Sequence, residues 1–335
     1  MYRFILYLFY ILTFSLKLYA LDMYAFNSGQ GNFFLLKKGS NVLAVDCGGS
    51  DIFGKLHHTY QRRYQATGDI GRFIKTEILQ NATSCDLVFT HNHSDHRNIV
   101  LYLRDIVDSI NVNRGRQLNV REINATDFGT VSGTISFLQD PEITFFHWFP
   151  EYSGQESQLY DDEHDYNLVL KLCYRNRNIL FTGDASARLF THLRQEYSKR
   201  QDLYRSLLGN ISCLIMPHHG SNRSGEYAWF YAVKDLSTIP DYPLLTLISS
   251  DPNPEKGRDA LPWYGVTELP CKRGTPAAVI AGHRISFGGG YEYTIKKPIF
   301  TTCDSGAFYK MTIACDGNII LVSDVDTLTH LFRLL

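Results

Sequence analysis

His91, His93, Asp95 and His96 fall within six consecutive positions of the stretch "THNHSDH". Neutral imidazole and carboxylate are the groups that divalent zinc, manganese or iron bind, and a loop this rich in them can ligate two ions. In HxHxDH spacing, His91 and His93 can project to one side of a turn while Asp95 and His96 reach another. A lone carboxylate from elsewhere can then bridge the ions, and Asp184 in "FTGDA" is the candidate. Two ions about 4 Å apart lower the pKa of a shared water, giving hydroxide near neutral pH, and stabilise charge on the oxygens of the attacked group. The chemistry to expect is metal-assisted hydrolysis.

A third cluster, His218 and His219 in "MPHHGS", completes a repeated grammar. Three times an apolar run, "LVFT", "ILFT" or "LIM", ends in ligand-type residues. In layered folds the loops at strand ends gather into one crevice, where a rigid scaffold holds polar groups in place. Each cluster also has a plainer reading. Asp184 stands before "ASARLF" and would serve as a helix N-cap, and the two histidines would suit a hydrogen-bonded surface turn. Their recurrence favours one shared site.

The elements that must position these residues follow from the hydrophobic pattern. "DMYAF", "NFFLLKK" and "NVLAVD" are strand-like runs separated by Gly-rich turns. Ile70, Phe73, Ile74 and Ile78 have helical spacing, "DLVFT" is a strand, and "RNIVLYLRDIVDSIN" is helical again. "ISFLQ" and "ITFFHWF" are strand candidates, "NLVLKLCYRNRNILFTGD" is a hairpin turning at "RNRN", and a long helical stretch runs from about 185 to 208. "CLIMP" is a strand and "YAWFYAVKDL" a helix, before a tail of strands: "LLTLISS", "AAVIAG", "EYTIKK", "FYKMTIAC" and "NIILVSD". Strands and helices in this order predict sheets covered by helices, an α/β layered fold.

Composition sets outer bounds. With 335 residues, 44% hydrophobic and 20% charged, a packed core is available. The formal charge of −1 gives no general attraction to nucleic acid or to an anionic membrane. The first twenty residues, "MYRFILYLFYILTFSLKLYA", read as a secretory signal ending at Ala20, with an uncleaved anchor as the second reading. The apolar run before Lys17 is shorter than the roughly 20 residues that span a bilayer, and no other segment is long and apolar enough to do so. The mature chain, 21–335, reads as one domain. Seven cysteines without a CxxC pair exclude a structural zinc module by spacing, although Cys303 and Cys315 flank a plausible hairpin and could pair. Asn-x-Ser/Thr occurs at Asn81, Asn92, Asn124, Asn210 and Asn222.

"THNHSDH", "FTGDA" and "MPHHGSNRS" together resemble the metallo-β-lactamase superfamily, and "AFNSGQGNFFLL" and "LAVDCGG" look like its opening strands. The wording is closest to the soluble domain of ComEC-type DNA-uptake proteins and to phosphorylcholine esterases. The resemblance covers about residues 21 to 253 and implies a four-layer αββα sandwich with a two-metal cleft. By position, His91 and His93 would bind one ion, Asp95 and His96 the other, and Asp184 would bridge. The Pro-x-His-Gly ending favours His219 as a ligand and leaves His218 facing substrate as a hydrogen-bond donor or acid. Asp46 matches a position that supports the metal loop from behind. The family often supplies one further histidine, and here His164 is the first candidate and His147 the second, the remaining alternative being that the chain has none. Where DNA-uptake relatives carry Tyr-Gly-His-Pro, this chain has Gly257-Arg258: Arg258 reads as a two-point phosphate clamp or as an ordinary exposed arginine, and His283 as a replacement for the missing imidazole or as a structural histidine.

The resemblance therefore implies a secreted or periplasmic hydrolase with two divalent ions, zinc or else manganese. Asp95 and His218 would be its catalytic residues, and its substrate a small or oligomeric phosphodiester, nuclease substrates included. The same metal core also serves lactone, ester and β-lactam hydrolysis, and a binding protein that kept the fold is the non-enzymatic alternative.

Overall fold

The computed structural model describes residues 20–29, 31–49, 67–114, 117–124, 132–135, 142–150, 163–198, 201–221, 226–238, 245–249, 283–287, 291–295, 299–302, 308–315, 317–323 and 332–334. In chain order the strands are β1 (Leu21–Phe26), β2 (Phe33–Lys38), β3 (Asn41–Cys47), β4 (Ser84–Val88), β5 (Val120–Ile123), β6 (Ser132–Ile135), β7 (Ile143–Trp148), β8 (Val169–Tyr174) and β9 (Arg177–Phe181). Next come β10 (Cys213–Ile215), β11 (Leu245–Ile248), β12 (His283–Phe287), β13 (Tyr291–Ile295), β14 (Ile299–Thr301), β15 (Phe308–Ile313), β16 (Ile319–Ser323) and β17 (Phe332–Leu334). The helices are α1 (Thr67–Phe73), continued by one π turn (Ile74–Ile78), α2 (Ser94–Arg97), α3 (Val100–Arg114), α4 (Ala187–Ser198), α5 (Gln201–Leu208) and α6 (Glu226–Asp235).

The strands form two large sheets. One runs β17-β16-β15-β1-β2-β3-β4-β5, the other β14-β11-β10-β9-β8-β7-β6, and β12 pairs with β13 alone. Period-2 alternation explains how they stack. Leu21, Met23 and Ala25 of β1 join Phe34, Leu43 and Val45 and face Phe145, Leu170, Leu172, Ile179, Phe181 and Ile215 of the other sheet. The alternate residues of the first sheet, among them Tyr24, Phe26, Leu35, Ala44 and Leu87, turn outward onto Ile74, Ile78, Leu103, Ile106 and Ile110 of the π turn and α3. The second sheet does the same: Val169, Leu180 and Leu214 meet Leu189, Leu193, Leu207, Leu208 and Trp229 of α4, α5 and α6. Helix, sheet, sheet and helix are thus held by three apolar seams, and each fully buried Leu or Phe in them contributes about 1.5–3 kcal/mol. This is the four-layer αββα sandwich.

Several local expectations hold. β8 and β9 form the predicted hairpin, and the "RNRN" turn has Arg175 and Asn176 at φ 50° and 59°, the left-handed pair that a two-residue hairpin favours. The predicted helix from 185 to 208 is instead two, α4 and α5, with residues 199 and 200 outside the described residues. The tail is built into both sheets: β14 pairs with β11, while β15 pairs with β1 and with β16. That placement corrects the cysteine expectation. β15 makes its hairpin with β16, and Cys315 is a free thiol, as are Cys47, Cys85, Cys173 and Cys213. Cys271, Cys303, Asn222, Gly257, Arg258, "AAVIAG" and residues 1–19, on which the expected secretory signal falls, lie outside the described residues, as does the His283 side chain. Among the described residues no helix is long and apolar enough to cross a membrane.

Strand direction brings the chemistry to one edge. β3, β4 and β5 are parallel, and so are β9, β10, β11 and β14. Asp46 near the end of β3, the histidine loop after β4, Gly183-Asp184 after β9, Pro217–Gly220 after β10 and Ser249 after β11 all sit at carboxyl ends. β8 runs antiparallel to β9, with Leu170 opposite Phe181, so the residues entering β8 reach the same edge.

Candidate metal centre

The loop after β4 splits its ligands by backbone shape. His93 is extended at φ −62° and ψ 149°, and α2 begins at the next residue. His91 and His93 therefore leave from an extended segment and Asp95 and His96 from the first turn of a helix. The imidazole rings of His93 and His164 lie 4.3 Å apart, and those of His96 and His219 5.6 Å apart. Two groups result: His91, His93, His164 and Asp184, and Asp95, His96, Asp184 and His219. Within each, one potential ligand atom per residue lies within 4.8 Å of all the others. Asp184 belongs to both.

His164 lies on a 3-10 turn (Glu163–Asp165) just before β8, and its Nε2 is 3.7 Å from Asp184 Oδ2. His147 belongs to neither group. It is buried in β7 between Gly133 and Leu170, on the same face of the sheet as Phe145. The turn Pro217–Gly220 separates its two histidines by an unusual backbone: His218 and His219 both adopt left-handed angles, φ 49° and 55°, at a cost of roughly 1–2 kcal/mol each. A hydrogen bond from His218 N to Gly183 O, 3.0 Å, ties that turn to the Asp184 loop. His219 is buried and its Nδ1 donates to the Ser249 carbonyl at 2.7 Å, which points Nε2 towards Asp184 Oδ1, 3.5 Å away, and Asp95 Oδ2, 3.4 Å away. His218 faces outward, 24% exposed, with Nε2 3.8 Å from Asp184 Oδ2.

The groups behind the loop are as ordered as those in it. His96 Nδ1 meets Asp46 Oδ2 at 2.8 Å, and Asp46 also accepts from Thr90 N at 2.7 Å and from the Thr90 hydroxyl. Asp46 takes φ 56°, a left-handed angle for a non-glycine residue, at the point where this carboxylate turns under the loop. Asn167, fully buried, donates from Nδ2 to Thr182 O at 2.6 Å and to Leu168 O at 2.9 Å, and its Oδ1 accepts from Asp184 N at 3.0 Å. Two glycines permit the close approach. A Cβ on Gly48 would stand 1.9 Å from the Asp95 carbonyl, and one on Gly183, itself at φ 52°, would stand 2.3 Å from Asn167 Oδ1. Thr90, Asn167 and Ser249 carry no motif of their own. Their sequence signal is weak: a polar residue just before the histidines, another at the start of an apolar strand, and a serine just after one.

Burial and charge pull the imidazoles in opposite directions. Burial pushes His91 well below the ordinary histidine range, aided by the neighbouring His96. Burial would lower His96 too, but Asp184 and Asp46 on either side of its ring outweigh it and hold the imidazole well above that range. His219 is raised in the same way, with Asp184 and Asp95 prevailing over burial. The carboxyl of Asp184, which burial alone would raise, is held far down by His219, His96 and His91. Asp95 is lowered as well, the pull of the neighbouring His219 and His96 overcoming burial. His218 falls to about 4, chiefly through burial.

Four buried atoms at the junction of the two groups have no hydrogen-bond partner among the described residues: His91 Nε2, His96 Nε2, His219 Nε2 and Asp184 Oδ1. His96 Nε2 and Asp184 Oδ1 lie 3.0 Å apart, yet their alignment does not make a hydrogen bond. Buried polar atoms without partners cost about 1–3 kcal/mol each. Three imidazole nitrogens and a carboxylate oxygen converging in this way are the donor set that a divalent cation satisfies, so the residues fit a pair of such ions.

No protein-family model and no curated protein sequence matches this chain. Among solved structures it is similar to the metallo-beta-lactamase fold protein YhfI from Bacillus subtilis, at 11% identity and a TM-score of 0.36, over 58% of this chain and 71% of that one. It is also similar to a diphosphatase of the PhnP family, at 10% identity and 0.36, over 77% and 92% of the two chains. A B3 metallo-beta-lactamase with an active-site glutamic acid gives 10% and 0.33, over 68% and 91%. The four layers and the paired ligand groups of the chain itself give it a metallo-β-lactamase-like fold.

Proposed function

We propose that the chain is a binuclear metal-dependent hydrolase, and that its substrate is a phosphodiester. The observation that carries the reading is the pair of ligand groups sharing Asp184, with four buried donor atoms left without hydrogen bonds. His91, His93 and His164 would hold one ion and Asp95, His96 and His219 the other, with Asp184 between them. When bound, two divalent ions supply a nucleophile from water at neutral pH and a positive field for the oxygens of the attacked group.

The chain's own residues do the rest. Asp46 and the Ser249 carbonyl orient His96 and His219, and Asn167 fixes the backbone of Asp184. His218 stands on the open side of Asp184, where it can reach a bound substrate. Burial keeps its imidazole neutral at pH 7, so it acts there as a neutral N–H donor to an oxygen of the substrate or leaving group, not as a strong acid.

The phosphodiester preference rests on the sequence resemblance to phosphorylcholine esterases and DNA-uptake proteins. A net charge of −1 favours a short ester over a long polymer, since phosphate contacts with basic residues supply much of the affinity for nucleic acid. Reading residues 1–20 as a secretory signal extends the proposal to an exported enzyme. The test is a panel of bis-aryl phosphate, single-stranded and duplex DNA, a phosphorylcholine ester and nitrocefin, with and without chelator. Diester cleavage abolished by chelator is the expected result. Cleavage of nitrocefin alone would move the reading to lactam chemistry on the same core, and a metal-loaded protein inert on the whole panel would count for a binding protein.

A further inference from the structure

We propose that Thr90 is a positioning residue that carries the orienting charge of Asp46 across the site, so that one buried carboxylate sets the ring of a histidine in each ligand group. His96 is set directly and His91 through the Thr90 hydroxyl. The inference rests on the two-ion reading above for its consequence, though its geometry stands without it.

Asp46 is buried and, as a carboxylate, has only acceptor sites. It takes the Thr90 amide at 2.7 Å on Oδ1 and His96 Nδ1 at 2.8 Å on Oδ2. The Thr90 hydroxyl oxygen lies 3.0 Å and 2.9 Å from the two carboxylate oxygens. Two oxygens cannot face a third at that distance without a proton between them, so the single hydroxyl proton of Thr90 is donated to Asp46. The lone pairs that remain on Thr90 Oγ1 can only accept. His91 Nδ1 lies 3.2 Å from that oxygen, and a hydrogen bond there requires His91 to carry its proton on Nδ1. The lone pair is then on Nε2, the buried atom that has no hydrogen-bond partner among the described residues. His96 Nδ1 is also 3.4 Å from the hydroxyl, but its proton is taken at shorter range by Asp46.

All four side chains are at most 4% exposed, so water does not compete for these bonds. Ligating histidines generally hold their second nitrogen on a carboxylate or carbonyl, and loss of such a partner costs on the order of 10–100-fold in metal affinity. His219 has the Ser249 carbonyl, His96 has Asp46, and His91 has Thr90.

Two measurements test the relay. In the metal-free wild-type protein, imidazole nitrogen NMR shifts should place the His91 proton on Nδ1, and Thr90→Val should abolish that preference while Thr90→Ser keeps it. In cobalt titrations, Thr90→Val should weaken one of two ions by on the order of 10–100-fold and leave the other unchanged, with Thr90→Ser close to wild type. In a His93→Ala background, Thr90→Val should not weaken the remaining ion further, whereas in a His219→Ala background it should. A wild-type His91 proton on Nε2 overturns the relay, and so does a Thr90→Val protein in which both ions or neither are weakened. A wild-type protein that binds no cobalt would sink the two-ion reading instead, and the NMR shifts would still decide the relay.

Discussion

Asp184 joins both ligand groups, and the rest of the site is arranged around its two oxygens. Its replacement is therefore predicted to cost more than that of any other single ligand. Asp184→Ala should lose both ions, with activity falling by more than about a hundredfold, beyond what a merely supporting residue accounts for. His164 and His147 provide a sharper contrast. His164→Ala should weaken one ion and lower activity, whereas His147→Ala should leave metal content unchanged at a cost in stability from its buried position in β7, as read by metal analysis and urea denaturation. At this scale the sequence was most legible where residue type and spacing carry the chemistry themselves, as in HxHxDH. Thr90 and Asn167 were silent because a hydroxyl and an amide act here through partners as distant in the chain as Asp46 and Thr182.

The elements decide whether those residues meet. The loops after β3 and β4 touch so closely that Gly48 admits no Cβ, and Gly183 is held at a left-handed angle against Asn167 and Thr90. Gly48→Ala should destabilise the fold by roughly 1–3 kcal/mol, the usual cost of overpacking, and displace Asp95 and His96 enough to weaken metal binding. Asn167→Ala leaves the Asp184 amide without its acceptor and the Thr182 carbonyl with only the Ala185 amide as donor, and should cost about 1–3 kcal/mol in denaturant unfolding. Alternating apolar residues and the "RNRN" turn made the strands and the β8–β9 hairpin readable, because period and turn chemistry are local. The close approach of two loops at Gly48 and the two left-handed histidines at 218 and 219 were not, since both are imposed by packing between segments remote in sequence.

On the scale of the whole molecule, the site bridges two sheets. Asp46 and the histidine loop come from one, and Asp184, His219 and Ser249 from the other. Ions bound between them should act as a clamp on the sandwich. Zinc or manganese at a hundred times its dissociation constant should stabilise the native state by about 2.7 kcal/mol per site, raising Tm, and chelator should reverse the rise. The layers were foreseeable from the order of strands and helices. The division of the tail between both sheets was not, because apolar runs such as "FYKMTIAC" do not specify which sheet edge they will complete. The most direct test of the whole account is the divalent-metal content of the folded chain after equilibrium dialysis, measured beside Asp184→Ala. Two ions per chain in the wild type and neither in the variant is the predicted result. A wild type with no stoichiometric metal, or a variant that keeps both ions, would contradict it.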